Sequence, residues 1–113
     1  MHEMSIALDI AEILNKEMEK HPGRRLAKVA ITIGEFSGIE TESLKFALEA
    51  AFAEQNREEA ELDIRKAPLK ALCKDCGCEF EPQASDFRCR ECTSGNVEIT
   101  SGQSLTIDTI TLQ

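Results

Sequence analysis

Four cysteines arranged as two C-x-x-C pairs are the residues of this sequence with the clearest chemistry. The first pair is Cys73 and Cys76, the second is Cys89 and Cys92, and twelve residues separate the pairs. Thiolates at this spacing can turn their sulfur atoms toward a common point about 2.3 Å away, and four sulfurs around one ion are typical of structural zinc. The pattern predicts a closed zinc site that leaves no coordination position open for a substrate.

Two other functions use similar cysteine spacing and stay open as alternatives. A rubredoxin-like iron module would carry electrons, but nothing else in the chain resembles electron-transfer machinery, so zinc is favoured. A zinc-ribbon adaptor would bind nucleic acid. The formal net charge of -8 and the isoelectric point of about 4.8 argue against that adaptor, because a phosphate backbone repels an acidic chain.

The start of the chain holds a second group of potential metal ligands. Met1 supplies an α-amine, His2 an imidazole at the second position and Glu3 a carboxylate. If the amine and the imidazole bind one cation, the amide between them can lose its proton and complete fused chelate rings in a plane. Nickel(II) and copper(II) favour such square-planar nitrogen sites, whereas zinc does not.

The hydrophobic pattern predicts the elements that must position these ligands. Apolar residues at helical spacing predict a helix over residues 1–21, and a second helix begins after the predicted N-cap Thr41 and ends near Gln55-Asn56. Alternating apolar and polar residues predict strands over 26–33, 60–65, 97–99 and 105–107. Ser101-Gly102 is predicted as a hairpin-like break, and a bulge or register change is expected near Asp108-Thr109.

This order of elements predicts an α+β or α/β fold, in which a small mixed sheet carries two helices on one face. The cysteine segment is predicted as an inserted zinc ribbon. We expect residues 1–68 and 97–113 to form the α/β body and residues 69–96 to form the ribbon. Phe80 and Phe87, which flank the cysteines, are expected to cover the ribbon with apolar surface.

Composition indicates an ordinary soluble protein of a reducing compartment. The 113 residues are 42% hydrophobic and 30% charged, and the five cysteines are an odd number. Paired C-x-x-C spacing without a signal peptide predicts a cytoplasmic protein rather than a disulfide framework. No apolar run approaches the roughly 20 residues that a membrane span needs.

The sequence resembles the HypA/HybF family of hydrogenase maturation nickel chaperones nearly end to end. Three features carry the resemblance: the start Met1-His2-Glu3-Met4-Ser5, the segment from Ile31 to Glu40 (ITIGEFSGIE), and the two C-x-x-C pairs in this order. The resemblance implies a nickel-delivery protein and not an enzyme. It implies that His2 is the indispensable nickel ligand with Glu3 beside it, and that the four paired cysteines hold structural zinc.

The same resemblance implies the partners. Nickel would pass toward the precursor of the [NiFe]-hydrogenase large subunit with the help of the pathway GTPase, and in some organisms also toward urease through its maturation proteins. Some members of the family form homodimers. Two departures from the family pattern concern the ribbon alone: Thr93 follows Cys92 where Gly is common, and Cys78 is an extra thiol.

Overall fold

The computed structural model describes residues 3–83 and 86–113, and it confirms the predicted α+β class. The described elements follow one another as α1 (Glu3–Glu19), β1 (Leu26–Gly34), α2 (Thr41–Glu54), β2 (Glu61–Ala67), β3 (Lys70–Cys73), β4 (Glu79–Phe80), β5 (Val97–Ser101) and β6 (Leu105–Leu112). The strands form one sheet with the order β2-β1-β6 and another with the order β4-β3-β5. None of the described helices is long and apolar enough to cross a membrane.

The chain divides into two compact units, and the first contains both helices. It consists of Met1–Thr32, Gly38–Arg65 and Thr106–Gln113. Its core side chains come from the predicted helical and strand faces: Ala7, Ile10, Ala11 and Leu14 of α1, Leu26, Val29 and Ile31 of β1, and Leu44, Ala47, Leu48, Ala51 and Phe52 of α2. Burial at intervals of three and four residues in the helices and of two residues in β1 confirms both predicted periods.

Helix α2 begins one residue earlier than predicted. Glu40, not Thr41, is the N-cap, and its carboxylate accepts a hydrogen bond from the N–H of Glu42 at 2.9 Å. The predicted cap, Thr41, is the first helical residue, and its hydroxyl is buried without a hydrogen-bond partner among the described residues. The extended backbone of Glu40 (φ -84°, ψ 118°) allows a residue that seldom caps helices to do so here.

The second unit contains the cysteines and consists of Ile33–Ser37 and Lys66–Leu105. Its three-stranded sheet is antiparallel, with Ala71 opposite Phe80 on one side and opposite Ile99 on the other. The predicted insert, 69–96, lies within this unit, which also takes in β5.

The hairpin predicted at Ser101-Gly102 is wrong, because β5 pairs with β3 while β6 pairs with β1. The chain changes sheets at this point. Gly102 lies so close to the backbone of Leu69 that a Cβ atom there would be 2.5 Å from the Leu69 Cα. In contrast, the predicted change of phase in β6 is present, since the consecutive residues Asp108 and Thr109 are both exposed.

Candidate metal centre

The first C-x-x-C pair forms a tight turn at the end of β3. The N–H of Cys76 donates to the Cys73 sulfur at 3.4 Å, and the N–H of Gly77 donates to the Cys73 carbonyl oxygen at 2.9 Å. Gly77 takes the left-handed conformation (φ 77°), which glycine adopts without steric cost. The turn points the N–H of Cys76 at the Cys73 sulfur, and such a bond stabilises a thiolate.

The second pair forms a similar turn although it lacks the glycine, and the N–H that reaches its first sulfur lies one position earlier. The N–H of Glu91 donates to the Cys89 sulfur at 3.4 Å, and the N–H of Thr93 donates to the Cys89 carbonyl oxygen at 3.0 Å. Thr93 adopts the same left-handed conformation (φ 62°) as Gly77. The threonine is therefore compatible with the turn, at the expense of backbone strain.

The two turns bring the four predicted cysteine ligands together. Their sulfur atoms all lie within 4.8 Å of one another, with 3.5 Å between Cys73 and Cys92 and 3.6 Å between Cys76 and Cys89. Four sulfurs at about 2.3 Å from a tetrahedral zinc ion would be separated by about 3.8 Å. The donor atoms and their spacing therefore fit a zinc ion, with Cys73 and Cys89 buried and the other two exposed.

The thiols of this cluster differ in how readily they lose a proton, because one thiolate disfavours the ionisation of its neighbours. The N–H groups of Cys92 and Glu91 lower the pKa of Cys89 to about 6. The N–H of Cys78 lowers the pKa of Cys76, but hydrogen bonding to neighbouring thiols and desolvation outweigh it and raise that pKa to about 12. One thiolate forms readily and the next is disfavoured, so a bound dication would be needed for all four sulfurs to ionise together.

An apolar cluster supports the sulfurs from one side. It contains Ala71, Cys73, Phe80 and Cys89, against which Val97 and Ile99 pack. The prediction that Phe80 covers the site is confirmed, whereas Phe87 is 36% exposed and is not among the side chains packed against this cluster. Phe80 lies in β4 opposite Ala71, and strand pairing directs it inward; Phe87 lies outside the described strands.

Cys78 has a counterpart in the second turn. It follows Cys76 by two residues as Ser94 follows Cys92, and the carbonyl oxygens of Cys78 and Ser94 accept bonds at 2.9 Å from the N–H groups of Cys73 and Cys89, respectively. Burial, followed by the charges of Cys89 and Glu91, raises the pKa of the Cys78 thiol. The extra thiol is a half-buried member of the ribbon's framework.

Of the predicted nickel ligands, Met1 and His2 lie outside the described residues, and Glu3 is the first residue of α1. The Glu3 carboxylate accepts a hydrogen bond from the N–H of Glu40 at 3.2 Å. The start of α1 is thereby joined to the N-cap of α2. Sequence reasoning missed this role of Glu40, because no local pattern connects positions 37 residues apart.

Comparisons with known proteins agree with this architecture. A family model described as "Hydrogenase/urease nickel incorporation, metallochaperone, hypA" matches residues 1–112. The chain is 40% identical to the hydrogenase maturation factor HypA of Desulfatibacillum aliphaticivorans, over 97% of this chain and 85% of the relative. It is 37% identical to that of Chlorobium limicola, over 100% and 97%.

Solved structures give the same result. The solution structure of the Ni metallochaperone HypA from Helicobacter pylori matches with a TM-score of 0.66 and 30% identity, covering 97% of this chain and 96% of that one. A second solution structure of a HypA protein matches with a TM-score of 0.75 and 28% identity, covering 100% and 97%. The chain belongs to the HypA family of nickel-incorporation metallochaperones.

Proposed function

We propose that this protein captures Ni²⁺ at Met1, His2 and Glu3 and delivers it to the precursor of the [NiFe]-hydrogenase large subunit. The observation that carries this proposal is the family match, which spans residues 1–112 and therefore includes the N-terminal ligands. The hydrogen bond between Glu3 and the N–H of Glu40 supports it further, because it holds the carboxylate that follows the first two residues in the sequence.

The nickel ligands would act as a planar set. The Met1 amine, the backbone nitrogen between the first residues and the His2 imidazole supply nitrogen donors of the kind that nickel(II) prefers. Glu3 adds negative charge next to them. It occupies the first turn of α1, where the positive end of the helix dipole favours a carboxylate.

Zinc would be the resident metal, held by Cys73, Cys76, Cys89 and Cys92. A closed four-sulfur site of this kind stabilises a short segment that cannot bury a core of its own. The close spacing of the four sulfur atoms supports a structural zinc site rather than a catalytic one. Metal analysis with an absorption spectrum tests this directly, because a rubredoxin-like iron site would colour the isolated protein.

The partners proposed are those of a cytoplasmic metal-delivery pathway. They are the hydrogenase large-subunit precursor, the pathway GTPase and, in organisms that have urease, its maturation proteins; a homodimer is also compatible. We propose neither nucleic acid nor a membrane as a partner, since the formal net charge is -8. Binding to DNA or RNA that weakens with added salt would favour the zinc-ribbon adaptor instead.

Nickel titration of three proteins tests the N-terminal site. These are the untagged protein, the variant His2→Ala and a form with extra residues before Met1. We expect the untagged protein to bind one Ni²⁺, and both other proteins to lose this binding, because one lacks the imidazole and the other lacks the free amine in register. Equal binding by all three proteins would place the site elsewhere.

A pair of variants in α1 tests the part played by Glu3. We expect Glu3→Gln to weaken nickel binding, because the amide removes the negative charge beside the nitrogen donors. Glu12→Gln is the matched control: Glu12 lies in the same helix and pairs with Lys16 at 3.7 Å on an exposed surface. Equal weakening by both variants would mean that only net charge matters.

A further inference from the structure

The two cysteine turns of the ribbon are related by a repeated pattern of backbone hydrogen bonds. In the first turn, Cys73 donates to the carbonyl of Cys78 and accepts from the N–H of Gly77, both at 2.9 Å. In the second, Cys89 donates to the carbonyl of Ser94 at 2.9 Å and accepts from Thr93 at 3.0 Å. Position by position, Cys78 corresponds to Ser94, and by the same spacing Asp75 corresponds to Glu91.

Ser94 closes the second turn. Its carbonyl oxygen accepts the N–H of Cys89 at 2.9 Å, and Ser94 follows Cys92 by only two residues. Fixing Ser94 therefore holds the backbone of the turn that carries the Cys89 and Cys92 sulfur atoms.

Asp75 fixes Ser94 from the opposite turn. Its carboxylate accepts hydrogen bonds from the Ser94 hydroxyl and, at 3.1 Å, from the side-chain amide of Asn96. The Ser94 hydroxyl in turn accepts the N–H of Asn96 at 3.0 Å, and the carbonyl of Asn96 accepts the N–H of Lys74 at 2.9 Å. A closed ring of hydrogen bonds thus joins the residues between Cys73 and Cys76 to the residues after Cys92.

We propose that Asp75 is a positioning residue that fastens the first cysteine turn to Ser94, and that this fastening sets how tightly the four thiolates retain their metal. The inference rests on the proposed zinc site. A carboxylate beside four thiolates is electrostatically unfavourable, so its presence is explained by the two hydrogen bonds that it accepts.

The other side of the repeat offers an internal comparison. There, Glu91 occupies the position of Asp75, and Cys78 occupies the position of Ser94. The Cys78 thiol is a much weaker hydrogen-bond donor than the Ser94 hydroxyl. Asp75 therefore provides the side-chain hydrogen bonds that join the two turns. Substitution of Glu91 should have little effect on the rate of zinc release. Glu91→Ala is thus a matched control: it removes a carboxylate from the same position along its turn and leaves in place the backbone N–H that donates to the Cys89 sulfur.

The test measures the rate at which the full-length, zinc-loaded protein releases zinc to an excess of chelator. We expect Asp75→Ala and Ser94→Ala each to release zinc about tenfold faster, the size expected for losing a hydrogen bond to a charged group. Ser94→Thr keeps the hydroxyl and should stay within about twofold of the original protein, as should Glu91→Ala.

A double variant separates fastening from general destabilisation. Asp75→Ala and Ser94→Ala both remove the bond between Asp75 and Ser94, so we expect the double variant to release zinc clearly more slowly than the product of the two single effects predicts. Independent effects would instead multiply to about a hundredfold. Unchanged release by Asp75→Ala, multiplication in the double variant, or equal release by Ser94→Thr and Ser94→Ala would each overturn the proposal.

Measurement of metal content distinguishes a failure of the Asp75 proposal from a failure of the proposed zinc site. If the original protein binds no zinc, or if Cys73→Ala binds as much zinc as the original, the proposed zinc site is wrong. Replacement of zinc by Co²⁺ adds a spectroscopic check, since Asp75→Ala should keep the absorption of a four-sulfur site while losing the ion faster. If Asp75→Ala does not fold, the comparison of Ser94→Ala with Ser94→Thr decides.

Discussion

Thr93 occupies a backbone conformation that a β-branched residue seldom adopts. Its φ of 62° places it in the left-handed region, where the corresponding residue of the first turn is Gly77. Its hydroxyl donates to the Cys92 carbonyl at 2.6 Å, which offsets part of the strain. The ribbon therefore stores strain at a residue directly after a proposed zinc ligand.

We expect Thr93→Gly to stabilise the zinc-loaded protein by about 0.5–1 kcal/mol, because relief of left-handed strain exceeds the lost side-chain bond and the extra entropy of the unfolded chain. Gly77→Ala is the converse change and should destabilise by about 1 kcal/mol. Thermal unfolding in the presence of zinc measures both. A lower melting temperature for Thr93→Gly would show that its hydroxyl matters more than its backbone.

Gly102 also has a positive φ (96°), and lack of space adds a second requirement for glycine there. A Cβ atom there would lie 2.5 Å from the Leu69 Cα and 2.8 Å from the Pro68 carbonyl oxygen, which are backbone atoms that cannot move aside. We expect Gly102→Ala to destabilise the protein by about 3 kcal/mol or more.

Gly23 provides the matched control for Gly102, since it too has positive φ (82°), but a Cβ atom added there would meet none of the described atoms within 4 Å. Gly23→Ala should destabilise by only about 1 kcal/mol. Chemical unfolding compares the two variants. Similar losses would mean that the backbone conformation, rather than the close contact, decides the requirement for glycine at position 102.

At the scale of elements, the cysteine turns and the helices depend on different interactions. We expect Cys73→Ala to abolish zinc binding and to unfold the β3–β5 sheet, because Cys73 lies at the end of β3 with its side chain completely buried. Helices α1 and α2 have an apolar core of their own and should persist. Zinc content and nuclear magnetic resonance spectra of the variant measure these two outcomes separately.

Cys78→Ser is the control for that experiment. Serine already occupies the corresponding position of the second turn, as Ser94, and the backbone carbonyl of residue 78 continues to accept the N–H of Cys73. We expect zinc binding and the ribbon's fold to be retained. Loss of zinc from Cys78→Ser would show that this thiol binds the metal itself.

Elements with strong periodicity were predictable from the sequence, whereas their partners were not. The apolar spacing of β1 and α2 indicates which face is buried, and the structure confirms it. In α1 the buried face is narrower than predicted, because Met4, Leu8 and Ile13 are exposed. Alternation in β5 and β6 contains no information about which strand each one pairs with, so their separation into two sheets was missed. Strand β4 spans only Glu79–Phe80, too short for any periodicity to appear.

The candidate site shows the same distinction. The sulfur cluster was predictable because each C-x-x-C pair is a local pattern. The contacts of Glu3 with Glu40, and of Asp75 with Ser94, join residues far apart in the sequence. Only the fold brings these residues together. Each contact involves an acidic residue, and nothing in the sequence distinguishes it from the other Asp and Glu residues, of which there are 21 in all.

On the scale of the whole molecule, the two proposed metal sites would have different tasks. The proposed nickel site uses nitrogen donors at the start of the chain, where the ion must be released again. The proposed zinc site uses four sulfurs, of which Cys73 and Cys89 are buried. A delivery protein needs this division, because the resident metal should stay bound under conditions in which the cargo leaves.

We expect acidification to release nickel before zinc. Metal binding displaces protons from the ligands, so the affinity of both sites falls as the pH falls. An α-amine titrates near 8 and an imidazole near 6.5 when unperturbed, so nickel should be half lost at about pH 6. Zinc should remain to about pH 5 or below, because structural zinc bound by thiolates contributes about 10–16 kcal/mol near neutral pH, which protons must overcome.

Equilibrium dialysis of the nickel- and zinc-loaded protein from about pH 7.5 to about pH 4.5, a range that spans both expected releases, followed by metal analysis, measures them in one sample. His2→Ala is the control and should lack the nickel step while its zinc curve stays unchanged. Loss of both metals over a single pH range would contradict the division, because it would mean that nickel shares the cysteine ligands. Two separate steps, of which only the first depends on His2, would establish that cargo and scaffold metals occupy different sites.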